Sequence, residues 1–130
     1  MDHETVEEAI LTQARRELDE WSEGNPQGYG SSAADDVTYF DNIGAQTRLD
    51  GVQAFREYLA ALQGQVPEHN YEIVDPKVQV YGDIGILSMH YHGFSAEGET
   101  LGRAKGTSVY RQSDGAWRMV HTHWSTQEEV

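Results

Sequence analysis

Apolar residues near the start of the chain recur at the spacing of an α-helix. Between residues 4 and 22 one face is apolar and consists of Val6, Ile10, Ala14, Leu18 and Trp21. Charged side chains occupy the other faces, so this segment is predicted to be an amphipathic helix lying across an apolar surface. Gly24-Asn25-Pro26 ends the helix, and the turn-prone residues 27–36 predict a loop with a short helical turn.

A second helical pattern runs from Gly51 to Gln63. Its apolar stripe consists of Val52, Phe55, Leu59 and Leu62. Asp50 is placed to cap the first turn with its side chain, and Gly64 ends the helix. Between the two helices, residues 37–40 predict a first short strand.

After Pro67 the apolar pattern changes to alternation, which is typical of strands. The predicted strands are residues 71–74, 78–81, 84–94, 102–111 and 117–126. Ser113-Asp114-Gly115 turns the last two into an antiparallel hairpin. Helices followed by an antiparallel meander predict an α+β fold: a cone-shaped, curved antiparallel sheet with the N-terminal helices packed on its concave face. The open end of such a cone is a natural place for a ligand pocket.

Composition limits the function classes. The 130 residues are expected to form a single domain, 1–130, and the absence of cysteine excludes thiolate metal sites and cysteine nucleophiles. The net charge of -13 should repel phosphate backbones, so no nucleic-acid partner is expected. No apolar run approaches the length of a membrane span and no leader-like segment is visible, so we expect no membrane partner and a cytoplasmic location.

Four histidines stand in two His-x-His pairs on neighbouring predicted strands. Each pair, His90 with His92 and His121 with His123, shares one face because strand side chains alternate. Such pairs could hold zinc or iron, but no partner carboxylate is evident, and hydrogen-bonded structural histidines are commoner. We therefore predict no metal and no cofactor.

Asp41 directly follows the first predicted strand and has two interpretations. It could point into the open end of the cone as a general base, or it could initiate a turn together with Asn42 and Gly44. Arg103 and Arg111 also have two, as partners of an anionic ligand or as residues of the other sheet face. Aromatic residues that could line a pocket are Tyr39, Phe55, Tyr58, Tyr91, Tyr110 and Trp124.

Several segments together resemble a known family. They are Asp36 to Asp41, Gly51 to Tyr58, Asp75 to Asp83, Thr107 to Arg111 and Asp114-Gly115-x-Trp117-x-x-Val120-His121-x-His123-x-Ser125. They are similar to the association domain of calcium/calmodulin-dependent protein kinase II and its stand-alone bacterial relatives, in the SnoaL-like, nuclear transport factor 2-like superfamily. The resemblance implies a cone-shaped barrel of cystatin-like fold that forms a homodimer through the sheet. The chain carries no ATP-binding loop or catalytic loop, so a kinase activity is excluded.

A second resemblance, through residues 34–44, is to ketosteroid isomerases. It implies that Asp41 stands where those enzymes carry their general base. The chain departs from their pattern elsewhere: Glu17 lies near the place of their tyrosine, and residues 102–111 contain no acid. Steroid isomerisation by that mechanism is therefore not expected.

The kinase association domain has a pocket of arginines and a histidine. Its arginine positions correspond to His92, Ser108 and Trp124, and its histidine corresponds to Phe55. The resemblance thus implies a histidine-aromatic pocket for a flatter, less anionic ligand. It also turns the even-numbered residues of the last strand inward, so that His121 and His123 face the other side of the sheet; a β-bulge would reverse this.

These inferences lead to two hypotheses. The first is a small-molecule-binding protein, with an isomerase, cyclase or hydrolase-like enzyme among the candidates and the question of catalysis left open. Asp41 and His92 are its candidate catalytic residues, and its ligand-binding candidates are Tyr39, Phe55, Tyr58, Ser108, Tyr110 and Trp124. The alternative is a non-catalytic self-association module that uses the outer face of the sheet.

Overall fold

The computed structural model describes residues 5–127. Helix α1 spans Val6–Ser22, a short 3₁₀ helix spans Pro26–Gly30 and helix α2 spans Val52–Ala61. The strands are β1 Ala33–Asp41, β2 Leu49–Asp50, β3 Asn70–Tyr81, β4 Ile84–Phe94, β5 Thr100–Ser113 and β6 Ala116–Thr126. Residue 4, the predicted start of the first helix, lies outside the described residues. No helix within residues 5–127 is both long and apolar enough to cross a membrane.

The six strands form one curved sheet in the order β2-β1-β6-β5-β4-β3. Neighbouring strands are antiparallel except β1 and β6, which are parallel. The apolar face of α1 packs on β3, β4 and β6, and α2 packs on β1. The predicted α+β fold, with helices on the concave face of a mostly antiparallel sheet, is confirmed.

Three details of the predicted elements were wrong. The first strand begins at Ala33, inside the expected loop. The 3₁₀ helix ends at Gly30, so only two residues connect it to the strand. Gly51, with φ of +92°, occupies the N-cap of α2, and no side chain caps that helix. Asp50 belongs instead to β2, which at two residues is too short to leave a pattern, and its carboxylate accepts a hydrogen bond from Arg48 at 2.6 Å.

Two bulges decide which side chains face the helices. The predicted strands 71–74 and 78–81 are one strand, interrupted by an irregularity between Val74 and Lys77 where Asp75 has φ of +52°. In β6, His121 pairs with Val109 and Met119 with Tyr110, so Val120 is an extra residue. An extra residue reverses the alternation of the strand beyond it. In β3 and β6 the side chains that face the helices are therefore odd-numbered before the irregularity and even-numbered beyond it.

Candidate functional site

The open end of the cone holds a cavity of about 300 Å³, which we call the cone cavity. Its walls come from α1, the 3₁₀ helix, β1, the end of α2 and the segment after it, and the inner faces of β4, β5 and β6. Its lining residues include Leu18, Trp21, Tyr29, Tyr39, Asp41, Tyr58, Leu62, Tyr91 and Trp124. Among the lining residues that the structure describes, Asp41 is the only one with a charged side chain.

Asp41 both initiates the turn after β1 and lies at the open end of the cone. Its Oδ1 accepts hydrogen bonds from the backbone N–H groups of Ile43, Gly44 and Ala45 at 2.9–3.0 Å, which fixes the turn after β1. Its Oδ2 accepts hydrogen bonds from the phenols of Tyr39, at 2.8 Å, and Tyr58, at 2.7 Å. The turn therefore holds a carboxylate oxygen against the aromatic wall of the cavity.

The hydrogen bonds of Asp41 set its charge. Burial by itself raises the pKa of this carboxyl group, but the loop amides and the two phenols that donate to it outweigh burial, and the pKa lies below its ordinary value. Asp41 is thus ionised at neutral pH. Burial, together with the neighbouring carboxylate, raises the pKa values of Tyr39 and Tyr58, so both phenols keep their protons.

A second polar network lies deeper, behind Trp124. The indole Nε1 donates to the hydroxyl of Tyr29 at 2.6 Å, and that hydroxyl lies 2.9 Å from the hydroxyl of Thr122. The hydroxyl of Thr122 lies in turn 2.8 Å from that of Ser108. These bonds fix the plane of the indole at the cavity wall, and they explain why three buried hydroxyls are tolerated in the core.

The network's neighbour is Glu17, a buried acid on α1. The hydroxyl of Ser32 donates to its carboxyl group at 2.9 Å and that of Tyr110 at 3.3 Å. Burial raises the pKa of Glu17 to about 8, against the lowering effect of those two hydrogen bonds. Glu17 is therefore mostly neutral at pH 7, in keeping with the absence of any salt bridge to it among residues 5–127.

The structure separates the predicted site residues into three groups. Tyr39, Asp41, Tyr58 and Trp124 line the cone cavity. Phe55, Ser108 and Tyr110 do not line it; they are buried behind the wall, and the ring of Phe55 packs 4.9 Å from that of Tyr39. In this position they support the wall, and their contact with a ligand stays a prediction.

His92 forms the third group, because it points away from the cavity. On β4 the buried residues are odd-numbered, so Tyr91 faces the cone and His92 faces the opposite side. There its Nε2 accepts a hydrogen bond from Nε of Arg103 at 3.3 Å, and its ring packs against that of Phe94 in a tilted arrangement with the centroids 4.2 Å apart. The prediction that His92 lies in the pocket was wrong, because its neighbour Tyr91 occupies the inward position on β4.

His121 and His123 also face away from the helices, as the alignment of the last strand predicted. The hydroxyl of Thr38 lies 2.8 Å from Nδ1 of His121. The ring of His123 stacks on that of Phe40, with the ring centroids 4.3 Å apart. No group of three or more histidine, cysteine, aspartate or glutamate side chains arranged to hold a metal ion occurs within residues 5–127.

Sequence reasoning missed Trp21 and Tyr29 as cavity residues. Trp21 reads as the last member of a helix stripe, and Tyr29 falls in the segment predicted as a loop. The two rings form an edge-to-face pair with centroids 6.1 Å apart. An aromatic residue between glycines, as in Gly28-Tyr29-Gly30, is the signal that could have drawn attention to Tyr29.

Comparison with known proteins supports the fold and the family. The family described as "SnoaL-like domain" matches residues 12–127. No curated protein matches the chain. Among solved structures, a candidate ketosteroid isomerase from Parabacteroides distasonis aligns with TM-score 0.82 and 24% identity, covering 96% of this chain and 90% of that one.

Two further solved structures share this fold. A protein of unknown function with a cystatin-like fold from Nostoc punctiforme has TM-score 0.79 and 14% identity, with 99% of this chain and 98% of that one covered. The CaMKII hub homology domain of Chlamydomonas reinhardtii has TM-score 0.75 and 20% identity, with 95% and 100% covered. At these identities the likeness is one of fold.

Proposed function

Because the chain belongs to the SnoaL-like domain family, we propose that its cone cavity binds a flat, mainly apolar small molecule from which Asp41 accepts a proton. One observation carries this proposal: an ionised carboxylate oxygen stands at the wall of an aromatic cavity that has no other charged lining residue among those described. Aromatic walls suit planar ligands, and one placed polar group orients them.

The charges around the cavity restrict the classes of ligand that it can bind. No cationic side chain of the described residues lines the cavity. An anionic group of a ligand would therefore be repelled by the carboxylate of Asp41, with no positive charge to pair with. A carboxylate with a lowered pKa is a weak base, and it needs a substrate whose proton is already activated. A C–H group next to a carbonyl in a fused-ring ketone has this property. Its proton passes to the carboxylate of Asp41, and the electron pair of the broken C–H bond moves onto the carbonyl oxygen as an enolate, which begins an isomerase or cyclase reaction.

The test uses 2-tetralone, a flat ketone with activated C–H groups, and 2-naphthol, its aromatic analogue. We expect the protein to accelerate solvent deuterium exchange into 2-tetralone, followed by ¹H NMR. We expect Asp41→Asn to reduce that acceleration by about 100-fold or more, the usual range for loss of a general base. Binding of 2-naphthol, followed by quenching of Trp21 and Trp124 fluorescence, should persist in Asp41→Asn.

Asp50→Asn is the matched control, because it removes one carboxylate from an exposed position outside the cavity. It should change neither measurement. Exchange that persists in Asp41→Asn, or a wild-type protein that neither binds 2-naphthol nor accelerates exchange, would contradict the proposal.

We also propose that the chain self-associates through the face of the sheet that the helices leave uncovered, which we call the outer face. It carries Phe40, His90, His92, Arg103, Lys105, His121 and His123. The stacked rings of Phe40 and His123 and the exposed side chain of Val74 give it apolar surface. Support comes from the structural neighbours that are hub or association domains of kinases.

Light scattering tests this second proposal. We expect about twice the 14.6 kDa of one chain at micromolar concentration. Phe40→Ser should shift the equilibrium toward the monomer, whereas Val6→Ser, which removes an exposed apolar side chain from α1, should not. A wild-type monomer at that concentration would contradict self-association.

A further inference from the structure

The lining of the cone cavity combines aromatic rings with a single negative charge. Its aromatic residues are Trp21, Tyr29, Tyr39, Tyr58, Tyr91 and Trp124. Among the described lining residues Asp41 carries the charge, and none is a lysine, arginine or histidine. The face of an aromatic ring carries partial negative charge, so the rings and the carboxylate have the same sign. The cavity therefore presents negative potential from several sides.

Two of the tyrosines couple their rings directly to the charge. The phenols of Tyr39 and Tyr58 both donate to Oδ2 of Asp41, and their ring centroids lie 5.7 Å apart. Asp41 is ionised at neutral pH, because the hydrogen bonds that it accepts hold its pKa below the ordinary value. A hydrogen bond donated to an anion polarises the donor, which makes the phenol rings more negative still. A positive group seated against these rings is attracted by both the rings and the carboxylate.

Trp124 extends this arrangement along the sheet. It pairs with Asp41 across β1 and β6, so the register places the indole beside the carboxylate. One face of the indole lies against Gly106 of the neighbouring strand, and the hydrogen bond from Nε1 to Tyr29 holds the ring in place. Tryptophan gives the strongest attraction between a cation and a ring face. The ring is fixed before any ligand arrives, so little freedom is lost on binding.

The polar hydrogens of the aromatic wall are already engaged within the chain. The two phenols next to Asp41 donate to it, and the indole of Trp124 donates to Tyr29. The hydroxyl of Tyr91 is hydrogen-bonded to Nε2 of His69. A carboxylate or phosphate of a ligand needs free donors, whereas a quaternary or delocalised cation needs none. The wall thus suits a cation better than an anion.

Resting on the proposed function, which makes the cone cavity a ligand site, we propose that its ligand is a planar organic cation, such as a nitrogen heterocycle with a quaternary nitrogen. A cavity of about 300 Å³ is at the small end of ligand pockets and suits a molecule of two fused rings. A positive charge in the ring also acidifies neighbouring C–H groups, which a weak base such as Asp41 requires. The net charge of -13 attracts cations to the protein. The cavity opens at the end of the cone, so its ligand and the docking of two outer faces do not compete.

1-Methylquinolinium and 1-naphthoate are the probes, because they are planar two-ring ions of similar size and opposite charge. Calorimetric titration uses phosphate buffer, which contains no competing amine, with about 50 mM NaCl, where screening is weak. We expect saturable binding of 1-methylquinolinium that an excess of 2-naphthol abolishes. Binding of 1-naphthoate should be about tenfold weaker or more, because its carboxylate is repelled by Asp41.

Two variants separate the contributions of charge and ring. Asp41→Asn should raise the Kd of 1-methylquinolinium by about tenfold or more, because it removes the charge that faces the cation. Binding of 2-naphthol, which should persist in Asp41→Asn, shows that the variant is folded. Trp21→Leu keeps an apolar side chain but removes a ring face. It should weaken the cation about threefold more than it weakens 2-naphthol.

Asp50→Asn is the matched control, because it removes the same charge from an exposed position outside the cavity. Its Kd for 1-methylquinolinium should stay within about twofold of wild type, since a screened charge far from the ligand contributes little. Equal affinity of the wild-type protein for the two ions, equal weakening by Asp41→Asn and Asp50→Asn, or cation binding that 2-naphthol does not displace would overturn the inference.

The two proposals about the cavity fail in different ways. A protein that binds 2-naphthol and accelerates exchange into 2-tetralone, but does not bind 1-methylquinolinium, would contradict only the cationic ligand. A protein that binds none of the probes and accelerates no exchange would contradict the proposed function as well. The comparison of the two ions on the wild-type protein decides the matter even if a variant fails to fold.

Discussion

At the scale of single residues, the buried acid Glu17 has the clearest consequence for stability. In the sequence it is one more charged residue of an amphipathic helix, yet it is 1% exposed and, within residues 5–127, it is hydrogen-bonded only to hydroxyls. A periodicity argument assigns charged residues to solvent, so it could not predict a neutral acid in the core. The contribution of this acid to the free energy of unfolding depends on pH.

The direction of that dependence follows from the two protonation states. Glu17 loses its proton near the ordinary pKa of 4.5 when the chain is unfolded, and at about 8 when it is folded. Between these values the unfolded chain binds fewer protons than the folded one, so raising the pH lowers the free energy of unfolding. The loss amounts to about 1.4 kcal/mol per pH unit within the window.

We therefore expect Glu17→Gln to become more stable relative to wild type as the pH rises from 5 to 8. Glutamine keeps the shape and can keep the hydrogen bonds of a neutral carboxyl group, but it has no proton to lose. Urea denaturation midpoints at several pH values measure the effect. Glu7→Gln, an exposed change on the same helix, should not alter the pH profile, and parallel profiles for wild type and Glu17→Gln would contradict a neutral Glu17.

At the scale of elements, Trp124 depends on the strand next to it. Gly106 pairs directly with Trp124, and a Cβ atom at Gly106 would lie 2.5–2.7 Å from three atoms of the indole. The indole cannot move aside freely, because it donates to Tyr29 and packs edge-to-face with Tyr91 at 6.1 Å. The glycine thus lets the ring lie flat on the sheet as a wall of the cavity.

Gly106→Ala should destabilise the protein by about 1–3 kcal/mol, as overpacking of a core does. It should also change the near-ultraviolet circular dichroism of tryptophan, since the indole must tilt. Gly102→Ala is the control on the same strand, because a Cβ atom there has no heavy atom within 4 Å. Equal effects of the two substitutions would show that strand propensity, and not contact with Trp124, is responsible.

The elements also show where prediction from sequence succeeds and where it stops. Long periodic segments, such as α1 and β4, were predicted with nearly the observed bounds. The facing of side chains was harder, because one extra residue inverts it. Trp124 was assigned correctly to the cavity side, but His92 was not, since Tyr91 takes the inward position on β4. The Asp75 irregularity was invisible as such and appeared as a gap between two short strands.

At the scale of the whole molecule, charge acts against the self-association that we propose. Each copy carries a formal charge of -13, and docking two outer faces brings two such charges together. The outer face itself carries compensating positive charge, because both lysines of the chain, Lys77 and Lys105, lie on it. Repulsion between the copies then comes mainly from the acidic surfaces around the contact.

Added salt should therefore strengthen association. Screening shortens the reach of charge from about 20 Å in dilute buffer to a few Å in concentrated salt, while the stacked aromatic and apolar contacts of the outer face are unaffected or strengthened. At a fixed micromolar concentration, we expect the mass measured by light scattering to rise between about 20 mM and about 500 mM NaCl. A mass that falls with salt would mean that lysine-carboxylate pairs hold the copies together, and an unchanged monomer mass would contradict self-association itself.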